Sequence, residues 1–326
     1  MKRALLLLAF ITFILPMSLF AVSYQNLPNI TWDRIGSVQI SSRALEGERI
    51  RGVTRNGFVP DVVGSESLSE RIDEIIDYMA GNGTGTVELS YKIVRSTDVS
   101  TIIFLAESVT AVGSRSAKVA TLAIDRESLE PTAISDLLGG NGLKIATDVV
   151  NNFIAQNFRN MPRIPLLDED AHFYVTNDAV YFVFDRYEIA PGSEGIQSVP
   201  VYFNNLEWYW LEEEDFYINV ENHGVRMLPL RRLAEHFDYY LDWNPDTHEI
   251  TLTREGDGDN SNGVITLRLN ENAYKRMHDL TPRALESAPE IINGVTFVPI
   301  SFFESILDIH YNILANGIIE LTTYQH

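Results

Sequence analysis

The sequence predicts an α+β protein, an antiparallel sheet with packed helices, followed by a C-terminal duplicated ββαββ unit. Three observations carry this. Residues 173–184 read as an aromatic hairpin. Residues 68–80 and 143–158 repeat apolar side chains at helical spacing. A Gly-Val motif at 224 returns seventy positions later, at 294. At 326 residues and 45% hydrophobic content, the chain is long enough for two domains with sizeable cores.

In chain order, Met1 to Ser23 reads as a signal peptide: Lys2-Arg3, the apolar run Ala4 to Leu15, then small residues at Ala21-Val22-Ser23. An uncleaved anchor is the alternative, since Ala4 to Val22 is nearly long enough to span a bilayer. Either way the remainder is expected in an extracytoplasmic location, with no stable membrane span after cleavage. Loss of Lys2 and Arg3 leaves 23 basic against 45 acidic side chains, a net of −22. Such a surface repels nucleic acid and anionic lipid and favours cationic partners. It also keeps exported proteins soluble without any specific partner. Cysteine is absent, so no disulfide supports the cores.

The first domain is expected over 24–211. Residues 24–64 mix short apolar pieces with Gly52, Gly57 and Pro60, which implies brief strands. Ser67-x-x-Glu70 reads as a capping box for an amphipathic helix over 68–80, with Leu68, Ile72, Ile75, Ile76 and Met79 on its stripe. Strands follow at 87–95, where apolar residues alternate with Glu88, Ser90 and Lys92, and at 101–108 and 118–125. Ala146, Val149, Val150, Phe153, Ile154 and Phe158 stripe a helix over 143–158. Next comes the hairpin, Phe173 to Thr176 and Ala179 to Phe184, with Asn177-Asp178 able to take the positive φ of a tight turn. Its second strand is apolar on both faces apart from Asp185, the pattern of a central strand covered on each side. Asp185 to Gly195 is a shaped loop, since an aromatic and charges run straight into Pro191-Gly192. A strand at 199–203 precedes Leu206-Glu207-Trp208-Tyr209-Trp210-Leu211.

Phe173-Tyr174-x-Thr176 followed by Tyr187-Glu188-Ile189-Ala190-Pro191 resembles the extracytoplasmic domain of RsiV-type proteins. These are lysozyme-sensing anti-sigma factors, and some peptidoglycan deacetylases carry the same non-catalytic module. Ile124-Asp125 and Asp136-Leu137-Leu138 fit that pattern. Val112 to Arg115 lacks the histidine common there. Only Met1 to Arg3 precede the apolar segment, so no cytoplasmic anti-sigma domain is expected.

Glu212-Glu213-Glu214-Asp215 marks the domain boundary, because four like charges do not sit unpaired in a core. The second domain is expected over 216–326. Gly224-Val225, Leu228-Pro229-Leu230 and Phe237-Asp238 return as Gly294-Val295, Val298-Pro299-Ile300 and Leu307-Asp308, giving repeats over 217–253 and 290–322. Each reads as a hairpin, a Pro-initiated short helix and a second hairpin. Pro229-Leu230-Arg231 and Leu241-Asp242-Trp243 resemble the copper amine oxidase N-terminal-like, or stalk, domain, a non-catalytic appendage. The second repeat departs from it at Ser301, Asn312 and Ile313.

No chemistry is legible. Seven histidines lack any His-x-His or His-x3-His pair, so no metal or other cofactor is expected. Asp257 to Gly263 lacks the sixth-position glycine and twelfth-position acid of a calcium loop, which leaves an acidic link between repeats. The acids at 168–170 and 212–215 read as solvated loops, and no Gly-x-Ser-x-Gly elbow occurs, so the chain is not expected to be an enzyme. Candidate binding residues are Tyr187, Glu188, Pro191, Trp208, Tyr209 and Trp210: Tyr187 on a neighbouring loop completes an aromatic platform, with at least one member of the Trp-Tyr-Trp run buried. The leading expectation is an exported, non-enzymatic envelope protein recognising a cell-wall-related ligand. By resemblance that ligand is peptidoglycan or a basic lysozyme-type muramidase. An envelope assembly subunit binding another exported protein is the alternative. A cell-wall hydrolase or deacetylase stands third.

Overall fold

The computed structural model describes residues 27, 29–81, 85–109, 115–221, 223–254, 264–277 and 279–325. The leader, Val112 to Ser114 and the Asp257 to Gly263 link lie outside the described residues, as do Asn222 and His278.

Six strands form the first sheet: β1 (Asp33–Ile35), β2 (Val38–Ile50), β3 (Val53–Val63), β4 (Gly85–Arg95), β5 (Val99–Val109) and β6 (Arg115–Asp125), in sequence order. The sheet is mixed and not antiparallel throughout, because β3 and β4 run parallel. Helix α1 (Glu66–Ala80) joins them, and a helical crossover returns the chain in its starting direction. Its cap is Ser65, whose hydroxyl accepts from Leu68 N at 3.3 Å, so the helix starts two residues before the expected Ser67 box. Leu68, Ile72, Ile76 and Met79 bury against Ile40, Leu89, Ile93 and Phe104.

Strands β2 and β3 are also far longer than expected. Gly52, read as a break, serves the hairpin: Arg51-Gly52 forms the turn with φ of 51° and 86°, and the register slips by one residue at Gly47, between Glu46 and Glu48. Pro60 lies past Gly57, where pairing with β4 has ended, so it withholds no needed donor from that side.

On the other face of this sheet lies a second, three-stranded one: β7 (Phe173–Val175), β8 (Ala179–Phe184) and β9 (Gln197–Tyr202), with β8 central. Every residue of β8 is buried. Tyr181 and Val183 face Val94, Ile103 and Val119 of the first sheet. Val180, Phe182 and Phe184 face α2 (Ile134–Leu138) and α3 (Gly142–Asn157), through Ile145, Val149 and Phe153. The N-terminal half is therefore four layers, helix on sheet on sheet on helix. The β7–β8 turn does not use positive φ at Asn177 or Asp178. Thr176 closes it instead, its Oγ1 accepting from Ala179 N at 3.2 Å.

The C-terminal half contains β11 (Tyr217–Asn219), β12 (Val225–Pro229), α4 (Leu230–His236), β13 (Tyr239–Asn244) and β14 (Glu249–Arg254). After these come β15 (Val264–Arg268), β16 (Ala273–Arg276) and β17 (Arg283–Ala284). The second repeat supplies β18 (Glu290–Ile292), β19 (Val295–Pro299), α5 (Ile300–Leu307), β20 (His310–Ile313) and β21 (Ile319–Tyr324). Strands β12 and β19 pair at the centre of the order β11-β12-β19-β18, so the two repeats share one sheet. Helices α4 and α5 pack into one core, beside Leu241, Leu252 and Leu321.

Strand β10 (Leu206–Leu211) crosses the expected boundary. It precedes Glu212, yet its hydrogen-bonding neighbour is β21, with Leu206 opposite Tyr324 and Leu211 opposite Ile319. Leu211 belongs to the C-terminal core, while Tyr324 belongs to the N-terminal core and its hydroxyl accepts from Tyr202 N at 3.2 Å. The acidic run 212–215 is a turn, and the strand before it already pairs with the last strand of the C-terminal half. Arg232 pairs with Asp215 there.

Candidate functional site

The shaped loop after β8 is built by three local devices. Glu188 Oε2 accepts from Asp185 N at 2.8 Å, closing a tight turn. Tyr187 takes φ +77°, a conformation a bulky side chain rarely adopts. Arg186 donates from Nε to Gly192 O at 2.6 Å and lies 5.2 Å from the Tyr187 ring. Gly192 sits directly under that ring: a Cβ there would stand 1.9 Å from Tyr187 Cε1. Ile189 and Ala190 are buried and pin the loop, whereas Tyr187 is 63% exposed and Glu188 and Pro191 face solvent. Anchored residues thus alternate with presented ones, and the strain at Tyr187 is held by the packing around it.

Beside this loop is a cavity of about 510 Å³, between the 162–172 segment and the ends of β7 and β8. Phe182 and Phe184 line its apolar side. Asp168, Asp170, His172, Asp185 and Glu188 line its polar side, with Arg163 the one basic residue among them. Burial holds His172 below the usual imidazole value, opposed by the charges of Asp185 and Asp170. Burial also raises the Glu188 carboxyl, which is turned toward the backbone although the residue as a whole is exposed; its bond from Asp185 N opposes the shift. Asp185 is held in place by accepting from Val119 N at 2.7 Å. Such a lining, with four carboxylates to one guanidinium, suits a cationic group of a ligand. Asp168 and Asp170 are exposed, as the sequence predicts for a solvated loop; what it does not show is that this loop borders the ends of β7 and β8.

Trp208, Tyr209 and Trp210 lie on β10, an edge strand of the order β10-β21-β20. None of the three is buried, contrary to the expectation for at least one. Alternation puts Trp208 and Trp210 on one face, stacked at 6.2 Å with planes 5° apart, and Trp210 is 53% exposed. Trp208 packs over Gly139, where any Cβ would lie 2.5 Å from the indole. Tyr209 turns the other way, against His236 and Arg232, whose Nε donates to the Tyr209 hydroxyl. Tyr187 does not join this cluster. Its loop leaves β8 past the Phe184–Gln197 pair, while β10 begins past the Ala179–Tyr202 pair, the opposite end of a six-residue strand about 17 Å long. Two separate surfaces result: the loop with its acidic cavity, and the stacked indoles.

Among the described residues no group of three or more His, Asp or Glu is arranged to hold a metal ion. Nor, among them, is any helix long and apolar enough to cross a membrane.

Comparison with known proteins divides the chain in a similar way. Residues 216–316 match the copper amine oxidase N-terminal domain, and residues 135–204 match a family described as a protein of unknown function, DUF3298. The second match contains β7 to β9 and the shaped loop. No curated protein matches the chain. Among solved structures, a DUF3298 family protein from Pseudomonas aeruginosa is similar at 13% identity, covering 53% of this chain and 92% of its own, with a TM-score of 0.37. A DUF3298 family member from Bacteroides fragilis gives the same identity and score, with 93% of its own chain covered.

Proposed function

We propose that this protein is an exported, non-enzymatic recognition protein of the cell envelope, whose DUF3298-like half takes a cell-wall-related ligand, either a lysozyme-type muramidase or peptidoglycan. The observation that carries the reading is the 185–195 loop: buried Ile189 and Ala190 fix it, and Tyr187, Glu188 and Pro191 stand out beside an acidic cavity. A rigid loop with an exposed aromatic loses little freedom on binding. The carboxylates and the chain's net charge of −20 favour encounter with a basic protein. The likeness of Tyr187 to Pro191 to the RsiV-type motif agrees with this, as does the apolar leader for export. The stacked Trp208 and Trp210 offer a second aromatic surface of the kind that packs on sugar rings.

Titrating the full-length mature chain with hen lysozyme, and co-sedimenting it with insoluble peptidoglycan, tests the proposal at low and moderate salt. Saturable binding of either is expected, with lysozyme binding lowered at least tenfold by Tyr187→Ala combined with Glu188→Gln. Absence of binding to both ligands at both salts removes the proposal.

An assembly role is the second reading. It is favoured by exposed aliphatic side chains on both edges of the β11-β12-β19-β18 sheet, Ile218 and Val220 on one and Ile291 and Ile292 on the other.

A further inference from the structure

The cavity beside the 185–195 loop, at about 510 Å³, lies in the size range of ligand sites, roughly 300–1,000 Å³. Its charges do not cancel. Asp168, Asp170, Asp185 and Glu188 set four negative charges against the one positive charge of Arg163, a net of −3 while His172 is neutral. Among the described residues no ion pair claims any of the four carboxylates, and the exposed Arg163 pairs with none of them. Their fixed partners are neutral main-chain donors. Asp168 Oδ1 accepts from Asp170 N at 3.1 Å, Asp185 Oδ1 from Val119 N at 2.7 Å and Glu188 Oε2 from Asp185 N at 2.8 Å, so three of the carboxylates are oriented without being neutralised. The groove around α4 in the C-terminal half is different, because Arg231 and Arg232 already pair there with Glu235 and Asp215. What the cavity beside the loop lacks is a cation.

Resting on the reading above, that the partner is a basic lysozyme-type protein, we infer that this cavity takes the guanidinium of an arginine side chain of that partner and gives it up in acid. A guanidinium fits the walls better than an ammonium. Its planar fork offers five donors to several carboxylates at once, it is more weakly hydrated, and its faces lie against flat rings. Pro162, Pro165, Phe182 and Phe184 supply such a wall opposite the acids.

Release follows from two groups in the lining. His172 is half-buried under the charges of Asp185 and Asp170, and burial makes it bind a proton less readily than a free imidazole. Glu188 keeps its proton more readily than an ordinary glutamate, again through burial. Strand β8 adds Phe182, Val183 and Phe184, none of them titratable. As pH falls below 6.5 His172 gains a positive charge, and Glu188 loses its negative one from above 4.5, so the cavity moves from −3 towards −1. A bound cation opposes both steps. The partner itself only gains positive charge over the same range, so weaker binding in acid traces to the cavity.

Two probes test this on the full-length mature chain: N-acetylargininamide, followed through the His172 ring signals by NMR, and hen lysozyme, followed by titration calorimetry. The small cation should saturate one site and lower the pH at which His172 titrates. Asp168→Asn combined with Asp170→Asn should weaken both probes at least fivefold at pH 7.5. Glu70→Gln combined with Glu74→Gln, two exposed acids of α1, removes the same net charge and should change neither by more than twofold. Both affinities should fall at least fivefold between pH 7.5 and 5.0, and less steeply in His172→Gln. Failure of lysozyme alone to bind removes the reading above, and the small cation still decides the cavity. Lysozyme binding that survives the paired Asp change keeps that reading and overturns this inference. So does absence of N-acetylargininamide binding, equal loss in the two paired variants, or a pH slope that His172→Gln leaves unchanged. N-acetyllysinamide bound as tightly as the arginine probe overturns the assignment to a guanidinium.

Discussion

Two six-residue strands, β8 and β10, are alike in composition and opposite in fate. Ala179 to Phe184 and Leu206 to Leu211 each carry three aromatics in a nearly continuous apolar run; the first is wholly buried and the second is half open. The difference lies in neighbours. Strand β8 is the middle of its sheet and has a second sheet on one face and α3 on the other, whereas β10 is an edge whose Trp208–Trp210 face reaches solvent. Aromatic content alone therefore does not decide burial, and sheet order decides whether the protein itself covers the strand.

Breaking the association of the halves should have the largest effect. A chain cut after Glu214 leaves β10 without β21 and removes Tyr324 from the N-terminal core. We expect the near-ultraviolet circular dichroism of the indole pair to collapse and the remaining fragment to melt well below the full chain. An unchanged indole signal in the fragment would show that β10 holds its place without β21. Next comes Phe182→Ala, which empties a fully buried site between β8 and α3 and should cost about 3–5 kcal/mol in urea unfolding. The matched change on the open strand, Trp210→Ala, should cost under about 1 kcal/mol, because only an exposed stacking contact is lost. A comparable loss at both positions would erase the distinction between the strands.

The smallest effect concerns pH. His172 binds its proton less readily in the folded chain than its ordinary value of 6.5, so below that value the unfolded chain holds more protons. Stability should fall as pH drops through and below 6.5, and His172→Gln should flatten that slope. Glu188, shifted upward, acts in the other direction: its native carboxyl keeps a proton that the unfolded chain has released, so stability falls as pH rises from the ordinary glutamate value of 4.5. Glu188→Gln should remove this component, measured by melting temperature across pH 4 to 8.

Much of the fold is legible in the residues. The stripes of α1 and α3 and the two-faced apolar pattern of β8 read directly, because burial imposes a period on the sequence. The repeats read from their Pro-initiated helices. What does not read is long-range pairing. Nothing local in Leu206 to Leu211 shows that its partner lies over a hundred residues onward at Ile319 to Tyr324, and the acidic 212–215 turn looks like a border. Gly52 and Gly57 hide β2 and β3, since a turn or a strand interior with positive φ uses the same residue as a break. At the site, Tyr187, Glu188 and Pro191 were visible as a shaped loop. The cavity beside them was not, because Asp168, Asp170 and His172 meet Glu188 only when α3 has turned the chain back across β8.

The most direct measurement is the binding isotherm of hen lysozyme for the full-length chain, set beside Tyr187→Ala, Glu188→Gln and Trp210→Ala with their melting temperatures. The account predicts saturable binding to the parent, at least tenfold weaker binding to the paired loop variant, and melting temperatures within a few degrees of one another. Loop variants that bind lysozyme as the parent does, while the parent binding saturates normally, would contradict it.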